Sequence, residues 1–321
     1  MMPSLTSFLG QGAQMILILF LAPGIAGLTR IVKARLMRRQ GPPLFQPYRD
    51  LYKLIHKEAI VADSASWLFR AAPYMIFAFS WVAAALVPTF ATGLMFSWTG
   101  DVIVIIALLG SARFFQTLAG MDVGTAFGGL GSSREVMIAS LAEPAMLLVV
   151  LNLALAAGSS SLPAIADHFV AQPLGIRISL ALAMMALVIV ALAENARIPI
   201  DNPATHLELT MVHEAMVLEY SGRHLAMIEA ASQLKLVMYI SLLICLFLPF
   251  GIATVNEGLV AWGLGFGAYA GKLALAAILL GAWEVSIAKM RVFRVSEFLS
   301  VAFIFAFLAL MLSFLTQEVL R

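Results

Sequence analysis

Charge is what this sequence has least of. Only 12% of its 321 residues are Asp, Glu, Lys or Arg, about half the share of an ordinary soluble domain, while 62% are hydrophobic. One globule cannot hide that excess, which excludes a soluble enzyme, a secreted disulfide scaffold and a disordered tail. Lipid is the solvent that such a composition fits. Cysteine is almost missing too. Cys245, alone in an apolar run, can form no intramolecular disulfide and no multi-cysteine metal or iron–sulfur site, so a redox centre in the working system belongs to a partner. The net charge of +2 carries no signature of nucleic-acid binding. No low-complexity tract or internal repeat is visible.

What the chain does have is long apolar runs. They lie at about 13–28, 68–93, 99–121, 136–157, 176–197, 234–254, 268–288 and 297–316, each about as long as the hydrocarbon core of a bilayer is thick when coiled as a helix. Continuous runs of this length favour helices over strands, because a helix satisfies its own backbone in lipid. The first 29 residues are uncharged and are followed, not preceded, by Arg30, Lys33, Arg35, Arg38 and Arg39. That polarity is the reverse of a signal peptide, so the first run is read as a retained span. The expected fold is therefore an all-α integral membrane protein of about eight transmembrane helices, a single polytopic domain over 1–321. Its inner connections are expected at about 30–67, 121–135, 198–233 and 289–296.

The distribution of Lys and Arg orients it. With the N-terminus outside, sixteen of the twenty fall in inner connections and only Arg177 and Arg321 outside, Arg113 and Lys272 lying within spans. A bias of this size predicts a bacterial inner membrane with both termini periplasmic. Two inner connections are long. In the first, Arg39 to Tyr48 is a proline-punctuated extended segment and Arg49 to Glu58 an amphipathic helix with Leu51, Leu54 and Ile55 on one face, either lying on the membrane surface or docking a partner. The second, Pro199 to Ser232, mixes Asp201, Glu208, Glu214, Glu219 and Glu229 with three histidines. The glycine-rich run 124–133 imitates a phosphate cradle, but no Gly-Lys-Ser/Thr follows and no strand precedes it. A tight inner loop against another subunit suits it better. His206, Glu208, His213 and Glu214 lack a His-Glu-x-x-His spacing, so no metal site is expected in the chain.

Ionisable residues interrupt the spans: Arg113 in the third, Glu143 in the fourth, Glu194 near the inner end of the fifth, Lys272 and Glu284 in the seventh. Each costs at least about 2.5–3.5 kcal/mol at the bilayer centre, so each needs a partner, a neutral state or water. A carboxylic acid kept neutral by burial can be inert, or it can relay protons. The sequence leaves both readings open. Arg113 can be a counter-ion, and Lys272 a counter-ion or a relay.

Three separated motifs then carry a resemblance. The segment Glu194-Asn-Ala-Arg-Ile-Pro-Ile-Asp-Asn-Pro203, with Glu208-Leu209 and Glu219-Tyr-Ser-Gly222 after it, resembles the signature of the membrane subunit joining the soluble and pumping arms of respiratory NADH:quinone oxidoreductase (complex I subunit 1). Arg38-Arg-Gln-Gly-Pro-Pro-Leu-Phe-Gln-Pro-Tyr-Arg-Asp50 and Asp122 to Glu135, followed by Ala142-Glu-Pro144, are similar to the hydrogenase branch of that superfamily, the membrane subunits of group 4 [NiFe] hydrogenases, formate hydrogenlyase and hydrogenase-4. The likeness spans almost the whole chain. Gly41 and Gln46 are closer together than in the quinone-using branch, and Ala-Thr-His-Leu stands before Glu208 where that branch carries more acids. These departures argue against a quinone chamber of the usual kind.

The resemblance implies a subunit without metal or flavin in an oxidoreductase complex, non-catalytic itself. Its partners would be a [NiFe] large subunit and an iron–sulfur small subunit, holding the [NiFe] centre and clusters, together with antiporter-like membrane subunits and the lipid bilayer. Carried over by position, Glu143, Glu194, Glu208 and Glu219 would line a proton or sodium route, with Glu214 and Glu229 as additions. Arg113, Lys272 and Glu284 join that route on burial alone. Arg38, Arg39, Gln40, Gly41, Pro42, Arg49, Asp50, Asp122, Arg134, Glu135, Arg197 and Asp201 would shape the surface that docks the soluble arm. The alternative is the quinone-site membrane subunit of an NADH:quinone oxidoreductase-type complex.

Overall fold

The computed structural model describes residues 5–171, 178–197, 212–254, 258–287 and 294–319. Its long elements are all helices: α1 (Leu5–Leu36), α3 (Trp67–Leu86), α4 (Val102–Asp122), α5 (Ala126–Ala157), α7 (Ile178–Glu194), α9 (Gly222–Phe247), α10 (Leu259–Ser286) and α11 (Arg294–Val319). Seven are long and apolar enough to cross a membrane, and α7 is a shorter apolar helix of 17 residues. The chain is thus an all-α integral membrane protein, and each of the eight expected runs corresponds to one of these helices. Short helices α2 (Gln46–Ile55), α6 (Leu162–Ala171) and α8 (His213–Val217) lie between them. Two-residue strands, β1 (Ala91–Thr92) and β2 (Ala253–Thr254), pair in parallel and tie the connection after α3 to the one after α9.

Several helices start outside the apolar runs. α5 begins ten residues before its run because Thr125 caps it, its hydroxyl accepting from the Gly128 N–H at 3.3 Å. α9 begins at Gly222, whose φ of +53° brings it against the backbone of Glu58; an added β-carbon would overlap there. Pro47 in the first turn starts α2 three residues earlier than expected. Caps and turns set these boundaries, and hydropathy does not report them.

Neighbouring connections gather at one end of the bundle. Ser66, before α3, donates from its N–H and Oγ to Asp122 at the end of α4, at 2.8 and 2.7 Å. Ser221, before α9, exchanges hydrogen bonds with the Ile60 backbone at 2.8 and 2.9 Å. This end carries the basic connections and forms the basic face of the bundle. α11 packs on α5 and α7, α3 on α4 and α9, and α1 on α9 and α10. The buried positions of α11, Val295, Leu299, Ala302, Ala306, Ala309 and Ser313, step by four and three and are mostly small. That stripe lets helix backbones approach closely where lipid supplies no hydrophobic drive.

The glycine-rich run, expected as a tight inner loop, is helical from Ala126 onward. It forms the first turns of α5 and packs within the chain: a β-carbon on Gly128 would overlap the Gly120 carbonyl oxygen, and one on Gly131 would lie 2.8 Å from that of Val212. Proline leaves a comparable mark on α3. Pro73 cannot donate to the Phe69 carbonyl four residues back, and the Tyr220 hydroxyl donates to that oxygen instead, at 3.0 Å. The two rings stack at 3.9 Å. Burial, and next the Asp122 carboxylate, push the Tyr220 phenol above the ordinary tyrosine range, so it stays a neutral donor.

Candidate functional site

α7 stops at Glu194, well inside the bundle. The chain closes it with a Schellman turn: Arg197 N–H donates to Leu192 O at 2.9 Å and Ala196 N–H to Ala193 O at 3.1 Å. Ala196 takes φ +49° there, a left-handed conformation that costs a non-glycine residue about 1–2 kcal/mol. The same turn ends α1, where Arg38 has φ +56° and Arg39 N–H reaches Ala34 O at 2.8 Å. Each turn releases the chain beside an arginine.

Around the buried Glu194 carboxylate three other helices contribute charge. Arg113 of α4 is in direct contact with it, and Lys235 Nζ of α9 lies 2.9 Å away. The Arg113 guanidinium also reaches Glu143 at 3.1 Å and Glu135 at 3.6 Å, both on α5. Three carboxylates therefore face two cations, all tied through Arg113 and Glu194. Pro144 follows Glu143 and removes the helical N–H that would serve the Ser140 carbonyl, so the continuous helix α5 lacks one ladder hydrogen bond at the turn that bears the site. Glu143 is the outlying member: its side chain is 45% exposed on the flank of the bundle, against 2% for Glu194.

A cavity of about 380 Å³ joins this cluster to the basic face, lined among others by Arg30, Lys33, Arg113, Glu194, Glu214, Glu229, Lys235 and Glu284. A second charged knot stands on its wall, where the Glu284 carboxylate of α10 accepts from Lys33 at 3.0 Å and from Arg197 at 2.9 Å. Gln116 Nε2 lies 3.0 Å from His213 Nδ1 in the same lining. Among the described residues no three His, Cys, Asp or Glu side chains converge as metal ligands.

Of the residues expected on an ion route, Arg113, Glu143 and Glu194 are thus in one cluster, and Glu214, Glu229 and Glu284 line its cavity. Glu219 is exposed, and Glu208 falls outside the described residues. Lys272 sits elsewhere: its ammonium donates to the carbonyls of Leu248, at 2.7 Å, and Phe250, just past the end of α9. Leu248 is thirteen residues beyond Lys235, about 20 Å of helix. Lys272 there satisfies backbone carbonyls left at a helix C-terminus.

Of the residues expected on a docking surface, Arg38, Arg39, Gln40, Pro42 and Arg49 are exposed, and Arg134 and Gly41 half-buried. Asp50 accepts from Gln46 at 2.8 Å. Asp122 is engaged by Ser66, Arg197 by Glu284, and Glu135 points inward to Arg113. Asp201 lies outside the described residues. Two members of the charged site are not singled out by the sequence, Lys235 and Lys33. Lys235 stands at the edge of the apolar run 234–254 and reads as a flanking charge. The Ser221-Gly222 start of α9, which puts Lys235 fourteenth in a 26-residue helix, is the signal that finds it.

Comparison with known proteins agrees with this architecture. The family model described as NADH dehydrogenase matches residues 11–315. Hydrogenase-4 component C of Escherichia coli (strain K12) is 36% identical over 241 residues, 75% of each chain. Formate hydrogenlyase subunit 4 of the same organism is 32% identical over 295 residues, 91% of this chain and 94% of the relative. NADH-ubiquinone oxidoreductase chain 1 of Triticum aestivum is 30% identical over 243 residues, 72% of this chain and 73% of the relative. In fold, the chain superposes on a chain of the membrane-bound sulfane sulfur reductase, an archaeal respiratory membrane complex, with a TM-score of 0.76 at 20% identity, covering 95% of this chain and 99% of that one. The chain belongs to the NADH dehydrogenase family, together with the membrane subunits of hydrogenase-4 and formate hydrogenlyase.

Proposed function

We propose that this chain is the membrane subunit of an energy-converting [NiFe] hydrogenase or formate hydrogenlyase-like complex. Its basic face seats a soluble hydrogenase arm, and its buried carboxylates couple the redox chemistry of that arm to movement of protons or sodium ions. The observation that carries the reading is the cluster of Arg113, Glu135, Glu143, Glu194 and Lys235 with its cavity toward the basic face. Three acids against two bases leave one negative charge in excess. One added proton brings the cluster to neutrality, and a low-dielectric interior makes that charge balance matter. A group that gains and loses one proton in this way is what a relay requires.

The cavity gives the cluster an entry from the side where the soluble arm would sit. Glu143, open on the flank, gives it a contact for a neighbouring antiporter-like membrane subunit. A change of charge at the docking face would alter the field along the cavity and so the proton held by the cluster. The [NiFe] centre and iron–sulfur clusters belong to the partner subunits in this reading. The excess of Lys and Arg on the basic face supports its lying in the cytoplasm of a bacterial cell.

Glu143→Gln in the intact complex tests it. Hydrogen-linked ion translocation into inverted vesicles should fall at least about tenfold, equivalent to about 1.4 kcal/mol, with assembly unchanged. Unaltered translocation would remove Glu143 from the route. The 30% identity to an NADH-ubiquinone oxidoreductase chain 1 favours a second reading, a quinone-site subunit, and assaying hydrogen against quinone as the reaction partner of the purified complex separates the two.

A further inference from the structure

A second charged cavity, of about 310 Å³, lies where α2 crosses the basic ends of α1 and α9. Three cations line it from separate segments: Arg30 of α1, Lys53 of α2 and Lys57 just after α2. Two carboxylates, Asp50 and Glu229, share the lining, and Gln233 forms the floor. Gln233 is 7% exposed, and its Oε1 has no hydrogen-bond partner among the described residues. The site therefore offers cations on one side and acceptors on the other. Its position is that of a membrane interface. α2 is an amphipathic helix beside spanning helices, and its Ile55, 55% exposed, lies on the flank next to the cavity-lining Leu51 and would need an acyl chain to cover it.

We infer that this cavity binds the headgroup of a phospholipid carrying both a phosphate and an ammonium group, phosphatidylethanolamine being the simplest, with its acyl chains over the exposed flank of α2. The phosphate is held by Arg30, Lys53 and Lys57 through charge-assisted hydrogen bonds. Asp50 and Glu229 hold the ammonium, and the unused acceptor of Gln233 adds to that pole. A purely anionic headgroup would satisfy the cations and leave two carboxylates facing its negative charge, which sets the preference. Arg30 and Glu229 line this cavity as well as the first, whereas Lys53, Lys57, Asp50 and Gln233 do not line the first, so the Lys53→Ser, Lys57→Ser variant tests the inference apart from the coupling role proposed above.

The test uses the intact complex extracted in mild detergent. Native mass spectrometry, with analysis of retained lipid, should find one ethanolamine phospholipid more per complex in the native protein than in a Lys53→Ser, Lys57→Ser variant, in which its occupancy falls at least tenfold. Asp50→Asn with Glu229→Gln should shift the preference several-fold toward phosphatidylglycerol. A photoactivatable phosphatidylethanolamine should label α2 or the first half of α9 in the unmodified complex, a readout independent of any variant. Retention of phosphatidylglycerol instead, displacement of the lipid by millimolar inorganic phosphate, or equal lipid content in native and variant complexes without labelling at α2 or α9 would each overturn the inference.

Discussion

The two halves of the bundle solve the problem of burying polarity in different ways. In the half away from the basic face, buried polar contacts join neutral side chains to each other or to the backbone. Gln14 donates to the carbonyls of Ala85 and Val87 at 3.0 and 2.8 Å, Ser313 to Asn152 at 2.5 Å, and Ser241 and Tyr269 share a bond of 2.7 Å. Its one lysine on a spanning helix, Lys272, holds carbonyl oxygens. In the half toward the basic face, full charges meet: Arg113, Lys235, Glu135, Glu143 and Glu194 in one cluster, Lys33, Arg197 and Glu284 in another. Neutral bonds lock helices together at little risk. Charged clusters are expensive to desolvate and poor at adding net stability, so a fold that keeps them on one side only has a use for charge there.

That contrast can be broken most severely at its centre. Arg113→Leu leaves three carboxylates, Glu194 among them, with one lysine, and it should cost about 3–5 kcal/mol, seen as loss of assembled complex from membranes. Glu194→Gln in the same background should recover part of the yield by removing one uncompensated charge. A smaller loss is expected at the seam between α3 and α9. Tyr220→Phe orphans the Phe69 carbonyl that Pro73 has freed and should destabilise by about 1–3 kcal/mol, read as a lower midpoint of thermal unfolding of the complex. In the neutral half, Asn152→Leu combined with Ser313→Ala removes both partners of one bond, and the change should average about 0.6 kcal/mol, with ion translocation untouched. A translocation defect from that pair as large as one from Glu143→Gln would erase the distinction between the halves. The smallest effect is expected with the opposite sign: Ala196→Gly relieves the left-handed turn beyond α7 and should stabilise by under about 1 kcal/mol.

The same two halves differ in how much of them the sequence discloses. The spans are legible because apolar runs of that length have one solvent, and α11 shows its small-residue stripe in the spacing of Ala302, Ala306 and Ala309 alone. Arg113, Glu143 and Glu194 are legible because each interrupts such a run. Glu135 is not, since its neighbours are glycine, serine and arginine and it reads as part of a surface connection. Only the capped start of α5 at Thr125 turns it inward, eight residues or about 12 Å of helix before Glu143. Lys235 stays hidden for the matching reason at the start of α9. The partnership of Arg197 with Glu284, 87 residues apart, is set by how α7 and α10 pack, and no local pattern announces it. Lys272 shows the converse: an ionisable residue in an apolar run suggests a relay, while its ammonium serves carbonyls at the end of a helix.

In the proposed coupling, the cluster around Glu194 changes its proton content when the docked redox partner changes state. Redox-difference infrared spectroscopy of the assembled complex tests this most directly. A protonated-carboxyl stretching band should appear or vanish on reduction with hydrogen, shift in deuterated water and be lost in Glu143→Gln or Glu194→Gln. A difference spectrum without a carboxyl band, or with one that survives in Glu135→Gln, Glu143→Gln and Glu194→Gln alike, would contradict it.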